Sequence, residues 1–433
     1  MSEWKPIDEL FDYEKGTMQS SKCSPGQYSF ITAAEEWKTH KIYTHDCEAL
    51  IFAMAASGSL GRTHYVKGKF ISSDLCFILT PKKGLRLDLM FYHRLFNYLR
   101  TDIVKRTATG TSKLAINQTN FGMYKLPYFD YEHQVAFRGK IEKITLINDE
   151  FSGGMSEQLM FLQKLRQSIL QEAIEGKLTT EWRKKNPKLV SGDNHASRLL
   201  ERIRAEKGRL VKEGKIREGK LLPLITDEEK AFVLPEGWVW CRFQELTKVI
   251  TCGMASTPKY YSNGRIFLSA KNVKPYRFMP EDHKFVDEVT YKRVTQNAKP
   301  EKGDILMTRV GAGIGESAII DRDIDFAYYV SLTLIKLFPD ILSSQYVLHF
   351  LNSLHGIANA ISYTTGVGSS QGNLNVNKVR PYVIPLPPIA EQQVIVDQVD
   401  GYMGIIDNLE QQVTDRKRQS EMLLQSVLRE SFI

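Results

Sequence analysis

The chain repeats itself. Gln167-Ser168-Ile169-Leu170-Gln171-Glu172-Ala173-Ile174 returns 258 residues later as Gln425-Ser426-Val427-Leu428-Arg429-Glu430-Ser431-Phe432. The same offset relates Phe137, Ile141, Ile144, Asn148, Phe151 and Met155 to Ile395, Val399, Tyr402, Ile406, Leu409 and Val413, both series spaced 4-3-4-3-4. That spacing puts side chains on one stripe of a helix facing another helix. The stripes continue through Leu162, Leu165 and Ile169, and through Leu423 and Val427. Two long helices are predicted, over 132–178 and 389–432. At 1.5 Å per residue each is about 60 Å long, well beyond the usual globular helix. Such a helix overhangs a domain of ordinary size, so the reading favours each pairing with its twin. Asn148 stands among apolar neighbours, where a polar side chain fixes register at some cost in stability.

Each long helix comes after a segment rich in aromatic and β-branched residues with frequent Gly and Pro, 1–128 and 238–387. Residues 75–79, 304–308 and 331–335 read as short strands, and 87–99 and 344–354 as short helices. The pattern is α+β without regular βαβ alternation. The two segments share anchors. Trp4-Lys5-Pro6-Ile7-Asp8-Glu9-Leu10 parallels Trp240-Cys241-Arg242-Phe243-Gln244-Glu245-Leu246. Ser59-Leu60-Gly61 parallels Gly313-Ile314-Gly315, and the Thr-Gly run at 107–112 parallels that at 364–369. A third helix is expected over Ala196 to Glu213, striped by Leu199, Leu200, Ile203, Leu210 and Val211. The expected division is a first α+β domain, 1–130; a long helix, 131–178; a connector, 179–237; a second α+β domain, 238–387; and a second long helix, 388–433. The fold class expected is two pseudo-symmetric α+β domains joined by a long antiparallel helical spacer.

Charge is uneven. Gly176 to Lys220 holds 14 Lys and Arg against 6 Asp and Glu, which accounts for the net +8 of the whole chain. Such a stretch can meet phosphates by releasing counterions, or it can be a solvated helical face. No run of apolar residues is long enough to span a membrane, and the N-terminus lacks a signal-peptide layout. The cysteines, 23, 47, 76, 241 and 252, form no C-x-x-C pair, so a zinc site or disulfide framework is not indicated. A cytoplasmic location is expected.

Catalytic motifs are missing. Gly311-Ala312-Gly313-Ile314-Gly315 resembles a nucleotide loop, but it leads into Ala318-Ile319-Ile320-Asp321, which reads as strand rather than helix, so a turn between strands is the better reading. No P-loop is present, and Pro387-Pro388 reads as a helix start rather than part of a methyltransferase motif. Asp282-His283-Lys284 lacks the spaced acidic partner of a nuclease and reads as surface.

Several stretches resemble those of type I restriction-modification specificity subunits. They are Leu234-Pro235-Glu236-Gly237-Trp238, Gly303-Asp304-Ile305-Leu306 with Arg309-Val310-Gly311 after it, and Pro385-Leu386-Pro387-Pro388-Ile389-Ala390-Glu391-Gln392-Gln393. Glu175-Gly176-Lys177-Leu178-Thr179 and 199–204 match as well. The resemblance implies two target-recognition domains reading a bipartite site in double-stranded DNA. It also implies a helical spacer docking two adenine-methyltransferase subunits, with translocase-nuclease subunits joining the complex. The chain would carry no catalysis, metal or cofactor; the partners would use S-adenosylmethionine, ATP and Mg. The first domain departs from the pattern, lacking the Leu-Pro-Glu-Gly-Trp opening and the double proline.

Base and phosphate contact needs cations, amides and small hydroxyls near flexible backbone. In the first domain the candidates are Arg62, Lys67, Lys105, Arg106, Thr109, Thr111, Ser112 and Lys113. In the second they are Lys259, Tyr260, Lys271, Lys274, Arg309, Thr365, Ser369, Ser370, Gln371 and Asn373. The rival reading is a structural adaptor whose duplicated domains bind other proteins.

Overall fold

The structure is a computed structural model and describes residues 3–56, 58–110, 114–366 and 372–432. It divides into two compact units, residues 1–157 with 413–433, and residues 158–412. Each unit takes in one α+β segment and a share of both long helices.

In the first unit a six-stranded sheet runs in the order Phe11–Lys15, Cys76–Pro81, His45–Ala53, Thr63–Ser72, Tyr28–Ile31, Lys38–His40. All neighbours are antiparallel except Tyr28–Ile31, which lies parallel to Thr63–Ser72. Alternation along His45–Ala53 sends Leu50 and Phe52 into one core and Ala49 and Ile51 into another. The helices Leu89–Tyr98 and Arg100–Thr107 share the first of these cores, where Phe11, Phe52, Phe96 and Phe121 pack ring to ring.

The second unit uses the same plan in shorter pieces. Val249–Cys252, Leu332–Lys336, Ile305–Thr308 and Ser317–Ile319 form one antiparallel sheet. Lys284–Val286, Arg265–Leu268 and Phe326–Tyr328 form another, with the last two strands parallel. Where the first unit has one ten-residue strand, Thr63–Ser72, the second has Ser317–Ile319 and Phe326–Tyr328. The 311–315 run is the turn between antiparallel strands Ile305–Thr308 and Ser317–Ile319.

The duplication reaches individual hydrogen bonds. Trp4 pairs with Pro127 across a two-stranded ribbon, and Trp240 pairs with Pro385 across another. Gln134 accepts the backbone N–H of Asp88, the cap of helix Leu89–Tyr98, and donates to the carbonyl of Phe129. Gln392 does likewise with Ser343, the cap of helix Ser344–Asn352, and with the carbonyl of Pro387.

The long helices are Tyr131–Ile174 and Ile389–Phe432. The first ends four residues before the expected 178. Gly176 adopts φ 71°, and Lys177 N–H bonds back to the Glu172 carbonyl, a glycine-dependent helix stop. Within each unit the helices pair antiparallel: Asn148 meets Ser420 while Phe137 and Phe432 both pack on Phe91. In the second unit Arg166 meets Asp407 and Glu410 while Thr179 meets Glu391.

The packed stripe differs from the expected one. Ile141, Met155, Ile169, Ile395, Val399, Ile406 and Val413 are buried as read, and Phe137, Ile144, Asn148 and Leu162 are half-buried. Phe151, Leu165, Tyr402, Leu409 and Leu423 are exposed instead, Phe151 by 59%. Ser152, Arg166, Met403, Glu410 and Leu424 turn inward in their place. A stripe alternating steps of 3 and 4 leaves two neighbouring positions open at each step. Here the polar neighbour takes the inner one at three of the five places.

The connector helix is Ala196–Lys212, its stripe led by Leu199, Leu200 and Ile203. Around it the family-like motifs converge on one buried carboxylate. Glu391 accepts the Trp238 indole N–H at 2.8 Å, the Thr179 hydroxyl at 2.6 Å and the Arg183 guanidinium. A Cβ at Gly176 would come within 2.6 Å of Pro235 and 3.0 Å of the Trp238 ring, so glycine is needed there for space as well as for φ.

Candidate nucleic-acid interface

In each unit a threonine at the end of a helix or just beyond it leads the chain into a small hairpin. The Thr107 hydroxyl donates to the Ile103 carbonyl, and the Thr364 hydroxyl to the Ala360 carbonyl, both at 2.7 Å. Next come the ribbons Ala108–Thr109 with Ala115–Ile116, and Thr364–Thr365 with Asn373–Leu374. Each ribbon leads to a short helix capped by asparagine: Asn117 for Gln118–Met123 and Asn375 for Val376–Val379.

The exposed chemistry of the two hairpins is different. In the first, Thr109 is exposed opposite Ala115, and Lys105 and Arg106 are exposed on the preceding helical turn. Arg106 pairs with Asp102 at 2.9 Å. The Tyr124 hydroxyl, and then Arg106, hold the Asp102 carboxyl below the usual carboxylate range. In the second hairpin, exposed Thr365 stands opposite exposed Asn373, and its hydroxyl donates to the Asn373 carbonyl. Thr111, Ser112, Lys113, Ser369, Ser370 and Gln371 lie outside the described residues.

Arg309 belongs to the second hairpin but does not face outward. It is 8% exposed and donates to the carbonyls of Leu374 (2.7 Å) and Val330 (2.9 Å) and to the Asn373 amide oxygen (2.7 Å). A cation buried at a strand end needs acceptors on several sides, and backbone carbonyls supply them. Expected as a DNA contact, Arg309 instead spends its guanidinium on these acceptors, which hold the hairpin and Asn373 in place.

The remaining candidates are dispersed. Arg62 is half-buried and donates to the Ala33 carbonyl, with Glu35 at 3.4 Å. Lys67 is exposed on Thr63–Ser72, in register with Glu48. Lys271 pairs with Asp282 at 2.7 Å and Lys274 with Glu316 at 3.1 Å. Lys259 and Tyr260 are exposed, and Lys284 lies 4.0 Å over the Tyr260 ring. That aromatic-cation pair was missed, because Lys284 sits 24 residues from Tyr260 and only the strand pairing near 261 and 285 brings them together.

Two α+β domains thus repeat one frame around differing exposed hairpins. The family model described as type I restriction modification DNA specificity domain matches residues 1–137 and 235–415, and the chain belongs to that family. It is 31% identical over 256 residues to the type I restriction enzyme EcoEI specificity subunit of Escherichia coli, covering 57% of this chain and 41% of that one. With the EcoAI specificity subunit of Escherichia coli the identity is 28%, covering 62% and 44%. The chain thus spans less than half the length of these relatives. It is 23% identical to the Escherichia coli EcoDI specificity subunit across 99% of this chain and 88% of that one. The fold is similar to a solved chain from a study of complex assembly and conformational transition of the type I R-M system, with TM-score 0.60, 15% identity and 100% and 97% coverage. It is also similar to the HsdS subunit from Thermoanaerobacter tengcongensis, with TM-score 0.50, 15% identity and 100% and 96% coverage.

Proposed function

We infer that this chain is the sequence-reading subunit of a type I restriction-modification complex. Each α+β domain reads one half of a bipartite site in double-stranded DNA. The long helices space the two and dock two adenine-methyltransferase subunits, and translocase-nuclease subunits complete the assembly. The chain itself contributes recognition and no catalysis. S-adenosylmethionine, ATP and Mg serve the partner subunits, in the cytoplasm.

One observation carries this reading: the two units share a hairpin frame down to the Thr-to-carbonyl bond, while what the hairpins expose differs. A common frame with different exposed groups suits two different half-sites. The exposed apolar side chains of the long helices, Phe151 in one unit and Phe161, Leu165 and Ile405 in the other, support the docking of partner proteins.

The test is methylome sequencing of a host expressing the chain with its cognate methyltransferase subunit. An interrupted two-part adenine motif that vanishes when this chain is omitted is expected. No new methylation, with subunit binding verified, would overturn the reading. Removing one turn from both long helices, about 5.4 Å, should change the preferred gap by about one or two base pairs.

A further inference from the structure

In the second unit the chain seats an aromatic side chain of its own against the recognition domain. Phe232, in the tether before strand Val239–Arg242, lies with its ring 4.9 Å from that of Trp240 and 6.4 Å from that of His355. The first unit contains the same receptor. Trp4 corresponds to Trp240, since each faces a proline across a two-stranded ribbon. Tyr98 corresponds to His355: it lies 257 positions earlier, the offset that relates Thr107 to Thr364 and Ile103 to Ala360. Tyr98 is braced by Phe432, with the rings 5.2 Å apart. Trp4, however, is 42% exposed, and among the described residues no ring lies against it.

Trp4 and Tyr98 border a cleft of about 1180 Å³ shared with Met123, Lys105, Arg106 and Lys125. Met123 is 63% exposed, so the floor offers a second unburied apolar group. The rim is basic. Its carboxylate, Asp102, is already engaged by Tyr124 and Arg106.

We propose that this cleft docks an extended peptide segment of a partner protein, one carrying an aromatic anchor preceded by acidic residues. The segment that fills the sister receptor has that chemistry, with Asp227, Glu228 and Glu229 three to five residues before Phe232. An aromatic anchor buries a large area at low entropy cost, and acidic residues ahead of it complement Lys105 and Lys125. The occupant comes from a partner because Phe232 is already seated in its own unit.

The probe is a synthetic peptide with the sequence of residues 224–236, carrying a photoreactive phenylalanine analogue in place of Phe232. It is added to the full chain, and crosslinks are mapped by mass spectrometry. Crosslinks to Trp4, Tyr98 or Met123 are expected. Trp4→Ala should lower their yield at least ~10-fold, with Trp4→Phe restoring it, since an aromatic anchor dominates such a contact. A peptide with the three acidic residues changed to Lys should crosslink ~10-fold less for loss of complementarity. Crosslinks confined to Trp240 and His355, no crosslinks, or a yield indifferent to Trp4→Ala would each overturn the proposal. So would a Trp4→Ala chain that weakens duplex DNA binding while the peptide goes unbound, which would make the cleft a nucleic-acid surface.

Discussion

Gln134 and Gln392, 258 residues apart, make the same two hydrogen bonds in the two units. Each ties the start of a long helix to the cap of a short helix in the adjoining α+β domain. Replacing either with Leu leaves a buried N–H and a carbonyl without partners, which costs about 1–3 kcal/mol per orphaned group. Gln134→Leu should therefore lower the urea midpoint of the first unit and Gln392→Leu that of the second. Equal effects on both units from either change would contradict separate roles.

Glu391 is fully buried and joins Trp238, Thr179 and Arg183, which lie 153 to 212 residues away in sequence. Removing one partner of a buried ion pair typically costs about 3–5 kcal/mol. Glu391→Ala should loosen the connector from the second unit, seen as faster hydrogen exchange through 177–190 and 235–240. Unchanged exchange there would show that the carboxylate does not hold the connector.

Phe151 and Met155 separate the two readings of the helical stripe. Phe151 is exposed and Met155 buried in the first unit. Phe151→Glu should shift stability by less than about 0.5 kcal/mol, as surface changes do, while Met155→Glu buries an unpaired charge and costs several times more. Phe151→Glu should nevertheless weaken capture of partner subunits. Comparable destabilisation by both would restore Phe151 to the seam.

Arg309 gives a prediction of a different kind. Arg309→Ala leaves the Leu374 and Val330 carbonyls short of a donor and frees Asn373. Thermal stability should fall first, and both DNA affinity and base preference should blur together. A phosphate-contacting lysine changed to Ala, by contrast, should leave stability alone and lower the salt slope by about one. A stable Arg309→Ala chain with only the smaller salt slope would return Arg309 to the interface.

His349 links the second unit to pH. Burial pushes its imidazole down to about 4 from the ordinary 6.5. Its Nδ1 lies 3.2 Å from the Tyr276 hydroxyl, and Asp400, half exposed, is 3.5 Å from Nε2. The unfolded chain therefore takes up a proton below pH 6.5 that the folded one refuses until pH 4. Stability falls across that window, by at most roughly 3 kcal/mol. His349→Gln should flatten the difference between urea midpoints at pH 7 and pH 4.5. Parallel curves for the two proteins would sink this account.

The period of the long helices was legible because apolar residues recur at 3 and 4. Their phase was not. Between Leu165 and Arg166, or Leu409 and Glu410, hydrophobicity selects the leucine. The helices instead turn Arg166 inward to reach Asp407 and Glu410, and a pair between segments so far apart in sequence leaves no local mark. At the hairpins, Thr and Gly announced the loops. Whether a nearby cation faces outward, like Lys105, or inward, like Arg309, depends on acceptors dozens of residues away. The motifs around Glu391 were visible singly, but their convergence on one carboxylate is a property of the fold.

Residues 413–433 belong to the same compact unit as the first 157, and Phe432 is fully buried in its core against Phe91 and Tyr98. On the ribosome, the first unit thus waits for the whole second unit to be synthesised before it can close. At about 5–20 residues per second the delay is on the order of half a minute. During it the aromatic surface around Phe91 is uncovered and open to chaperones, so a lesion near residue 432 should be felt as a folding defect in the α+β domain that was synthesised first.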